Sequence, residues 1–293
     1  MSTVTVAKKD FKAARRSKML WGAAIALGMI AAFVGYVAGG AEATDVRRVQ
    51  SLFRTLAMFL GVLLPIVALV ASYLAIAGER EGGGIKFLLS LPNTRRSVFA
   101  GKVLSRNGVV AGGIGFMYVA VISVALTRHG AFPAAVVFGT LLVTLVYGST
   151  FVSVALAMSS AAASRSRAIA GAFGTYFVLV ILFLIPVVSV STIVGWVHTT
   201  ILGADANPDV YNAIQYVSPY VAYRKAVNLV MPAEMRRNVF RSSLPEDLQY
   251  DPTAANEALP MYLQDQVSLV VLAFWLVVPL LIGYWLFERA DLE

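Results

Sequence analysis

The chain has 293 residues, of which 58% are hydrophobic and only 14% are charged. Soluble domains contain roughly 45 to 50% apolar residues, so this composition excludes an ordinary soluble enzyme and indicates an integral membrane protein. The net charge of +8 does not indicate nucleic-acid binding, because the basic residues flank apolar segments, as expected of cytoplasmic segments facing anionic lipid. Since the chain contains no cysteine, disulfides, thiolate nucleophiles and cysteine-based metal centres are excluded.

The first element in chain order is a basic segment. Its residues Ala7, Phe11 and Ala14 fall on one face of a helix that is otherwise surrounded by cations. This pattern predicts a cytoplasmic amphipathic helix within residues 1–18, lying on the inner membrane surface; a disordered basic tail is the alternative. The apolar stretch that follows is too long for a signal peptide, so we expect an uncleaved first span.

Six apolar stretches are long enough to cross a hydrocarbon core about 30 Å thick, which takes about 20 helical residues. They are apolar on every face, which favours helices over barrel strands. The six predicted spans are Met19 to Ala38, Thr55 to Ala77, Asn107 to Thr127, Ala134 to Met158, Ala168 to about Val190, and Val267 to Phe287.

The Lys and Arg residues set the predicted orientation. With the N-terminus inside, 15 of the 24 Lys and Arg residues lie in cytoplasmic segments, as the positive-inside rule requires. The sequence therefore predicts an all-α membrane protein of the plasma membrane, with a single transmembrane domain over residues 1–293, six spans and both termini cytoplasmic.

The region between the last two spans is long. Apolar character continues beyond Pro186, so Val187 to Leu202 is interpreted as a re-entrant or interfacial helix at the outer surface, with a single tilted helix as the alternative. From Gly203 to Gln266 the chain is polar and rich in proline, yet Gln215 to Met231 has helical spacing. We expect residues 191–266 to form an extracytoplasmic loop or small cap.

The sequence offers no energy source of its own. It contains no GxxxxGK[ST] motif, so no P-loop ATP site is expected. The spans carry no ionisable residue of the kind that ion-coupled carriers use. His129 and His198 are far apart in sequence, so no metal site and no cofactor is expected on this chain.

The most informative segment is the cytoplasmic loop at residues 78–106. It reads GEREGGGIKFLLSLPNTRRSVFAGK from Gly78 to Lys102. The three glycines interrupt the helix leaving the membrane, and a short apolar helix then runs to Pro92. Such a helix suits the groove of a partner protein, or alternatively the lipid surface. The cations of this loop, Arg95, Arg96, Lys102 and Arg106, are interpreted mostly as contacts to lipid phosphates, with acidic residues of the partner protein as the alternative.

An acidic-Arg-acidic triplet, a glycine, Leu-Leu-Ser-Leu-Pro, a basic pair and Gly-Lys follow one another in this loop. This order resembles the signature after the second span of ABC-2 type permeases, especially the branch containing the membrane subunit of the nitrous-oxide-reductase maturation transporter. The resemblance implies an ABC-2 (type V exporter-like) fold and a coupling helix seated in a groove of a separate ATPase. The implied coupling residues are Glu79, Arg80, Glu81, Phe87, Leu88, Leu89 and Pro92.

The resemblance also implies an assembly. Two ATPase subunits carrying ATP and Mg would engage two permease copies, most simply a homodimer, within membrane lipid, and would drive export or flipping of a hydrophobic or amphipathic substrate. Alternatives are a subunit that drives an extracytoplasmic protein bound at residues 191–266, or a passive channel or ion-coupled carrier.

Two further sets of candidate residues concern this assembly. The candidate substrate path consists of neutral hydroxyl residues, for which helix packing is the alternative role: Ser72, Tyr73, Tyr118, Ser123, Thr144, Tyr147, Ser153 and Tyr176. Candidate dimer-packing positions are the small residues Gly108, Gly112, Gly115 and Gly171.

Overall fold

The structure is a computed structural model that describes residues 3–15, 45–83, 94–185, 189–236, 239 and 259–290, together with residues 22, 25, 28, 29 and 33. The first predicted span, Met19 to Ala38, lies mostly outside the described residues. So does the centre of the predicted coupling loop, residues 84–93. Within the described ranges the chain is helical and has no strand.

The described helices include five that are long and apolar enough to cross a membrane, namely Asp45–Glu81, Arg95–His129, Ala134–Ala161, Arg165–Leu184 and Val267–Arg289. These match five of the six predicted spans and make the chain a multi-pass membrane protein. Along the described ranges, the helices are α1 (Thr3–Arg15), α2 (Asp45–Ser72), α3 (Ala77–Glu81), α4 (Arg95–His129), α5 (Ala134–Ala161), α6 (Arg165–Tyr176), α7 (Val190–Trp196), α8 (Pro208–Gln215), α9 (Pro219–Val230) and α10 (Val267–Arg289). Single 3₁₀ turns lie at Ala233–Met235 and Met261–Leu263.

Helix α4 shows the largest difference from a predicted boundary. It begins at Arg95, three turns before the predicted start of the third span at Asn107. The Thr94 side chain accepts a 3.1 Å hydrogen bond from the Ser97 amide and so caps the first turn. At the other end, Gly130 adopts a left-handed conformation with φ of 62° that terminates the helix. The additional turns contain basic residues. Because the span was predicted as a stretch without charged residues, the predicted boundary left these turns out.

Helix α5 forms the centre of the bundle and contacts α2, α4, α9 and α10. It is apolar around its whole circumference, as expected of a helix with no solvent-facing side. Small residues allow its neighbours to approach closely. A methyl group added at Gly148 would lie 3.0 Å from Val110, and one added at Gly283 of α10 would lie 2.9 Å from the Ala157 backbone.

The fifth span ends before the predicted boundary. Helix α6 continues through a π-helical segment, Phe177–Ile181, and a last turn at Leu182–Leu184, after which Ile185 is extended with φ of −97° and ψ of 108°. A new helix, α7, begins after Ser189, whose side chain accepts from the Thr192 amide. The alternative of one continuous tilted helix is therefore wrong.

Helix α7 continues to Ile201 as a π-helical segment and packs against α8. It exposes Ile193, Trp196 and Ile201 on its other side. Its packing partner lies in the loop between the last two spans, which agrees with a helix at the outer surface.

Helix α9 confirms the helix predicted from the spacing of residues between Gln215 and Met231. It packs against α2, α5 and α10, which the sequence did not predict. Tyr220 of α9 lies against Gly61 near the middle of α2, where an added methyl would be 3.1 Å from the ring. The Tyr223 ring stacks on Tyr147 of α5 with ring centroids 4.1 Å apart. Pro219–Val230 therefore packs into the helix bundle, although it belongs to the loop between the last two spans.

Candidate functional site

The predicted cytoplasmic end of the bundle contains a buried ionic cluster centred on Lys102 of α4. Lys102 is only 1% exposed, and its Nζ lies 2.8 Å from Glu79 Oε2 and 3.9 Å from Asp10 Oδ1. Glu79 belongs to α3, at the start of the coupling loop, and Asp10 belongs to α1. One lysine therefore connects the amphipathic helix, the loop base and the third span.

Arg106, one turn further along α4, extends this cluster. Its guanidinium donates to Asp10 Oδ1 at 3.1 Å and to the Ala71 carbonyl near the end of α2 at 2.8 Å. The Ser105 hydroxyl also donates to Asp10. Two cations thus face two carboxylates, and the cluster is close to electroneutral. Charges removed from water are tolerated when they are paired in this way.

The apolar side of α1 is seated on the same helix. Val6 is buried, and a methyl group added at Gly101 of α4 would lie 2.8 Å from the Val6 side chain. The Phe11 ring lies against Gly108, 3.5 Å from the position of an added methyl. Helix α1 therefore packs along α4 as well as presenting cations outward. In this structure Gly108, a candidate dimer-packing residue, faces a side chain of its own chain.

The other two charged residues at the loop base, Arg80 and Glu81, bind the connection between α5 and α6. Arg80 donates to the Ala162 and Ser160 carbonyls at 3.1 and 3.3 Å. A Glu81 carboxylate oxygen accepts from the Arg165 amide at 2.7 Å, at the first turn of α6, where a negative charge is favoured by the helix dipole. The loop base is therefore fixed to both helices.

The opposite end of the loop is fixed to the last span. Arg95, the first residue of α4, donates from Nη1 to the carbonyls of Phe287, Glu288 and Ala290 at 3.3, 2.6 and 3.0 Å. These carbonyls lie at the C-terminal end of α10, where a cation also complements the helix dipole. The interpretation of Lys102, Arg106 and Arg95 as mainly lipid-phosphate contacts is corrected, because all three bind groups of this chain.

The coupling residues implied by the resemblance fall into two groups. Glu79, Arg80 and Glu81 lie together at the loop base and bind other parts of the chain. Four others, Phe87, Leu88, Leu89 and Pro92, lie outside the described residues. Sequence reasoning missed Asp10, although it is the only acidic residue in the first 41 positions and its isolation among cations was the available signal.

Most of the candidate path residues lie inside the bundle. The Tyr118 hydroxyl is 3.1 Å from Thr144 Oγ1, which is 3.0 Å from the Tyr223 hydroxyl. The Tyr147 hydroxyl donates to the Gly61 carbonyl at 2.7 Å. These contacts join α2, α4, α5 and α9, so the packing role accounts for these hydroxyls in this structure.

The remaining candidate path residues differ in their burial and in their hydrogen-bond partners. Ser153 is buried and donates to the Ser149 carbonyl at 2.8 Å, whereas Ser123 is exposed and donates to Val119. Tyr176 is half-buried and donates to the Val62 carbonyl at 3.3 Å. Tyr73 is half-buried against a small cluster of alanines. Ser72 is fully buried, and its hydroxyl has no hydrogen-bond partner within the described part of the chain.

The other candidate packing glycines differ in their surroundings. Gly171 of α6 faces Met158 of α5, whose sulfur would be 3.3 Å from an added methyl. Gly112 and Gly115 of α4 have nothing of the described chain within 4 Å of such a methyl. They are the two candidates with room for a partner helix.

The described residues include no group of three or more His, Asp or Glu side chains placed to hold a metal ion. His198 Nδ1 instead lies 2.8 Å from the Tyr211 hydroxyl, which fixes α7 to α8.

Comparison with known proteins agrees with this architecture. The family model described as ABC-2 family transporter protein matches residues 4–292. This chain belongs to the ABC-2 transporter family. A protein of Pseudomonas aeruginosa named "Probable ABC transporter permease protein NosY" is 32% identical over 189 residues, which cover 61% of this chain and 67% of that protein. A protein of the same name from Stutzerimonas stutzeri is 26% identical over 189 residues, covering 61% of this chain and 66% of that protein.

Membership of the ABC-2 family confirms the resemblance drawn from the loop sequence. It identifies the chain as the membrane subunit of an ABC transporter, which works with an ATPase. The permease type of the family indicates that the chain is not itself the ATPase. The ionic cluster then lies at the base of the loop that the resemblance assigns to ATPase contact.

Proposed function

We propose that this chain is the permease subunit of an ATP-driven exporter or flippase, in which two copies and two ATPase subunits move a hydrophobic or amphipathic substrate. ATPase movement would enter through the loop at residues 78–106. The observation that carries this proposal is the fixation of that loop at both ends. Glu79, Arg80 and Glu81 connect one end to α4, α5 and α6, and Arg95 connects the other end to α10. The link to α1 runs through Lys102, which also pairs with Asp10.

This arrangement supports force transmission for a physical reason. A displacement of the loop can move the spans only if the contacts at the loop base do not break first. Charge-assisted hydrogen bonds between partly buried groups are stronger than neutral ones, so these contacts are expected to stay intact. With these contacts intact, the loop base, α1 and the cytoplasmic ends of the described spans would move as one unit.

The test is purification of the tagged chain with its ATPase, comparing wild type with Leu88→Asp. A charge on the apolar side of the predicted coupling helix is expected to abolish ATPase retention while membrane insertion stays normal. Lys8→Glu, which changes an exposed residue of α1, serves as the control and should retain the ATPase. Full retention of the ATPase by Leu88→Asp would contradict the proposed coupling role.

A second candidate function is favoured by α9. Because α9 packs on α2, α5 and α10 and stacks Tyr223 on Tyr147, movement of these spans would reach the outer segment directly. The chain would then act as a mechanical transmitter to an extracytoplasmic protein at residues 191–266.

The lack of native cysteine makes a distance measurement straightforward. Val217, which is exposed just before α9, and Ala135, exposed at the outer end of α5, would each be changed to cysteine and spin-labelled in the two-copy complex. Mechanical transmission predicts similar ATP-dependent changes in the inter-copy distance at both positions. A change at position 135 without one at 217 would exclude it.

A further inference from the structure

The second span is interrupted just before it reaches the loop base. Helix α2 ends at Ser72 and α3 begins at Ala77, and the residues from Tyr73 to Ile76 form turns between them. This short segment contains neither proline nor glycine, the residues that most often break a helix. The interruption therefore has another cause.

A side chain of the central helix supplies that cause. The Ser159 hydroxyl of α5 accepts 3.0 Å hydrogen bonds from the backbone amides of both Ile76 and Ala77. In a continuous helix these amides would donate to the carbonyls of Ser72 and Tyr73, four residues earlier. Insertion of a side chain into this ladder of hydrogen bonds bends or breaks a helix. Ser159, Ile76 and Ala77 are fully buried, so bulk water does not replace the hydroxyl as acceptor.

The contacts of α3 attach it to α5 at both of its ends. At its start, Ala77 packs against the buried residues Ala162 and Ala168, beside the hydrogen bonds to Ser159. Near its end, Arg80 donates to two carbonyls at the C-terminal end of α5. The loop base is therefore held by the central helix and is not a simple extension of α2.

We propose that Ser159 is the positioning residue that passes movement of the coupling loop to α5. This inference rests on the proposed coupling role of residues 78–106. Because Ser159 is the acceptor for the first amides of α3, a displacement of the loop base moves α5 instead of bending the end of α2. Helix α5 contacts α2, α4, α9 and α10, so its movement reaches the whole bundle.

Hydrogen exchange of the intact chain with its ATPase tests the contact itself. Ser159→Ala leaves the amides of Ile76 and Ala77 without their acceptor, so peptides covering residues 73–81 should exchange roughly tenfold faster, as expected for the loss of two hydrogen bonds. Ser159→Cys preserves the side-chain volume but offers only a weak acceptor, and its exchange should also be faster. Ser159→Thr keeps the hydroxyl and should exchange at the wild-type rate.

The matched control is Ser160→Ala. The Ser160 hydroxyl is also buried, but it donates to the Leu156 carbonyl of its own helix. Its removal should leave the exchange of residues 73–81 unchanged. Wild-type exchange of these residues in both Ser159→Ala and Ser159→Cys would overturn the inference, whether or not the loop binds the ATPase.

A distance measurement then separates transmission of movement from local stability. Ala135, exposed at the outer end of α5, is changed to cysteine and spin-labelled. The inter-copy distance is compared between the nucleotide-free complex and the complex trapped with ADP and vanadate. Adding Ser159→Ala should remove most of the change in this distance while the ATPase stays bound. Adding Ser159→Thr or Ser160→Ala should preserve the change.

The two ways in which this experiment can fail are distinct. If the parent protein changes its distance and Ser159→Ala changes it equally, movement does not pass through Ser159, and the inference is wrong while the proposed function stands. If the parent shows no nucleotide-dependent change although the ATPase is bound, the proposed function is contradicted, and the transmitting role of Ser159 is contradicted with it.

Discussion

The Tyr147 hydroxyl donates a 2.7 Å hydrogen bond to the carbonyl of Gly61, which is the carbonyl that Pro65 leaves without its helical donor. Proline has no N–H, so the residue four positions earlier loses its intrahelical hydrogen bond. In a membrane-spanning helix that carbonyl must be satisfied by another group. Tyr147 of α5 therefore compensates for a proline in α2, and its ring also carries the stack with Tyr223 of α9.

A double-mutant cycle tests this compensation. Tyr147→Phe keeps the ring stack but leaves the Gly61 carbonyl buried without its side-chain donor, which is expected to lower stability by about 1–3 kcal/mol. In a Pro65→Ala background the restored backbone N–H serves the same carbonyl, so the same change should cost distinctly less. Thermal unfolding in detergent measures both steps, and Tyr284→Phe, which removes a hydroxyl from an exposed contact, is the control. If Tyr147→Phe lowers stability equally in the wild-type and Pro65→Ala proteins, Tyr147 does not compensate for Pro65.

Lys102 should be essential to the junction between α1, the loop base and α4. Lys102→Met is expected to destabilise the folded protein by about 3 kcal/mol, because it leaves the Glu79 and Asp10 carboxylates partly buried beside a methionine. ATPase activity of the assembled complex should also become less dependent on transport substrate. Both effects are read from one preparation, by thermal unfolding and by ATP hydrolysis.

The matched comparison for Lys102 uses two further variants. Lys12→Met removes an exposed cation from α1 and should change neither measurement. Asp10 keeps its contact with Arg106, so Glu79 is the carboxylate that loses its cation in Lys102→Met. Adding Glu79→Gln removes this carboxylate and should recover part of the lost stability. Additive losses in this double variant would mean that the two residues do not interact.

Gly101 should determine whether α1 can pack on α4. Gly101→Val would place a branched side chain where even a single carbon is 2.8 Å from Val6, and such overpacking typically costs 1–3 kcal/mol. The expected result is displacement of α1. With Val6→Cys as the only cysteine, a membrane-impermeant maleimide added to inside-out vesicles should label the Gly101→Val protein faster than its parent.

Gly113→Val is the control for this experiment, because nothing of the described chain lies within 4 Å of a methyl group added there. Its labelling at position 6 should match that of the parent. If Gly101→Val also leaves the labelling rate unchanged, α1 does not depend on close contact at Gly101.

The sequence predicted the long apolar helices well, because an uncharged stretch of about 20 residues has few alternatives. The sequence also predicted the helix α9, within Gln215 to Met231, but not its packing on the spans. Arg224 and Lys225 interrupt the apolar pattern of that helix, and only the structure shows that Tyr220 and Tyr223 pack on other helices. A helix that is stabilised by tertiary contacts with a tyrosine-rich face leaves little trace in hydropathy.

The candidate site was predicted only in part. The coupling loop and its glycines could be recognised because the motif consists of residues that are close together in sequence. The partners of Lys102 could not be identified in this way, because Asp10 and Glu79 are distant in sequence from Lys102 and from each other. Pairing between charges on different helices depends on helix rotation and register, which the sequence of each helix does not contain.

The last prediction concerns Lys225 and Asp265, which fix α9 to the start of α10. Lys225 Nζ lies 3.2 Å from Asp265 Oδ1, donates to the Leu263 carbonyl at 2.5 Å and lies 4.9 Å from the centre of the Tyr216 ring. Burial raises the pKa of the Asp265 carboxyl, while the charge of Lys225 opposes this increase. Lys225→Met removes the opposing charge, so the pKa of Asp265 in the folded state should rise further above its unfolded value.

A carboxyl whose folded-state pKa is raised binds protons more readily in the folded protein than in the unfolded chain, so its contribution to stability becomes more favourable as pH falls. The destabilisation caused by Lys225→Met should therefore be largest near neutral pH, about 3 kcal/mol, and smaller near pH 5. Adding Asp265→Asn removes the titrating group and should abolish this pH dependence. Thermal unfolding of the three proteins at both pH values measures it. A loss in Lys225→Met that is equal at the two pH values would mean that the Asp265 carboxylate is stabilised by its other neighbours and not by Lys225.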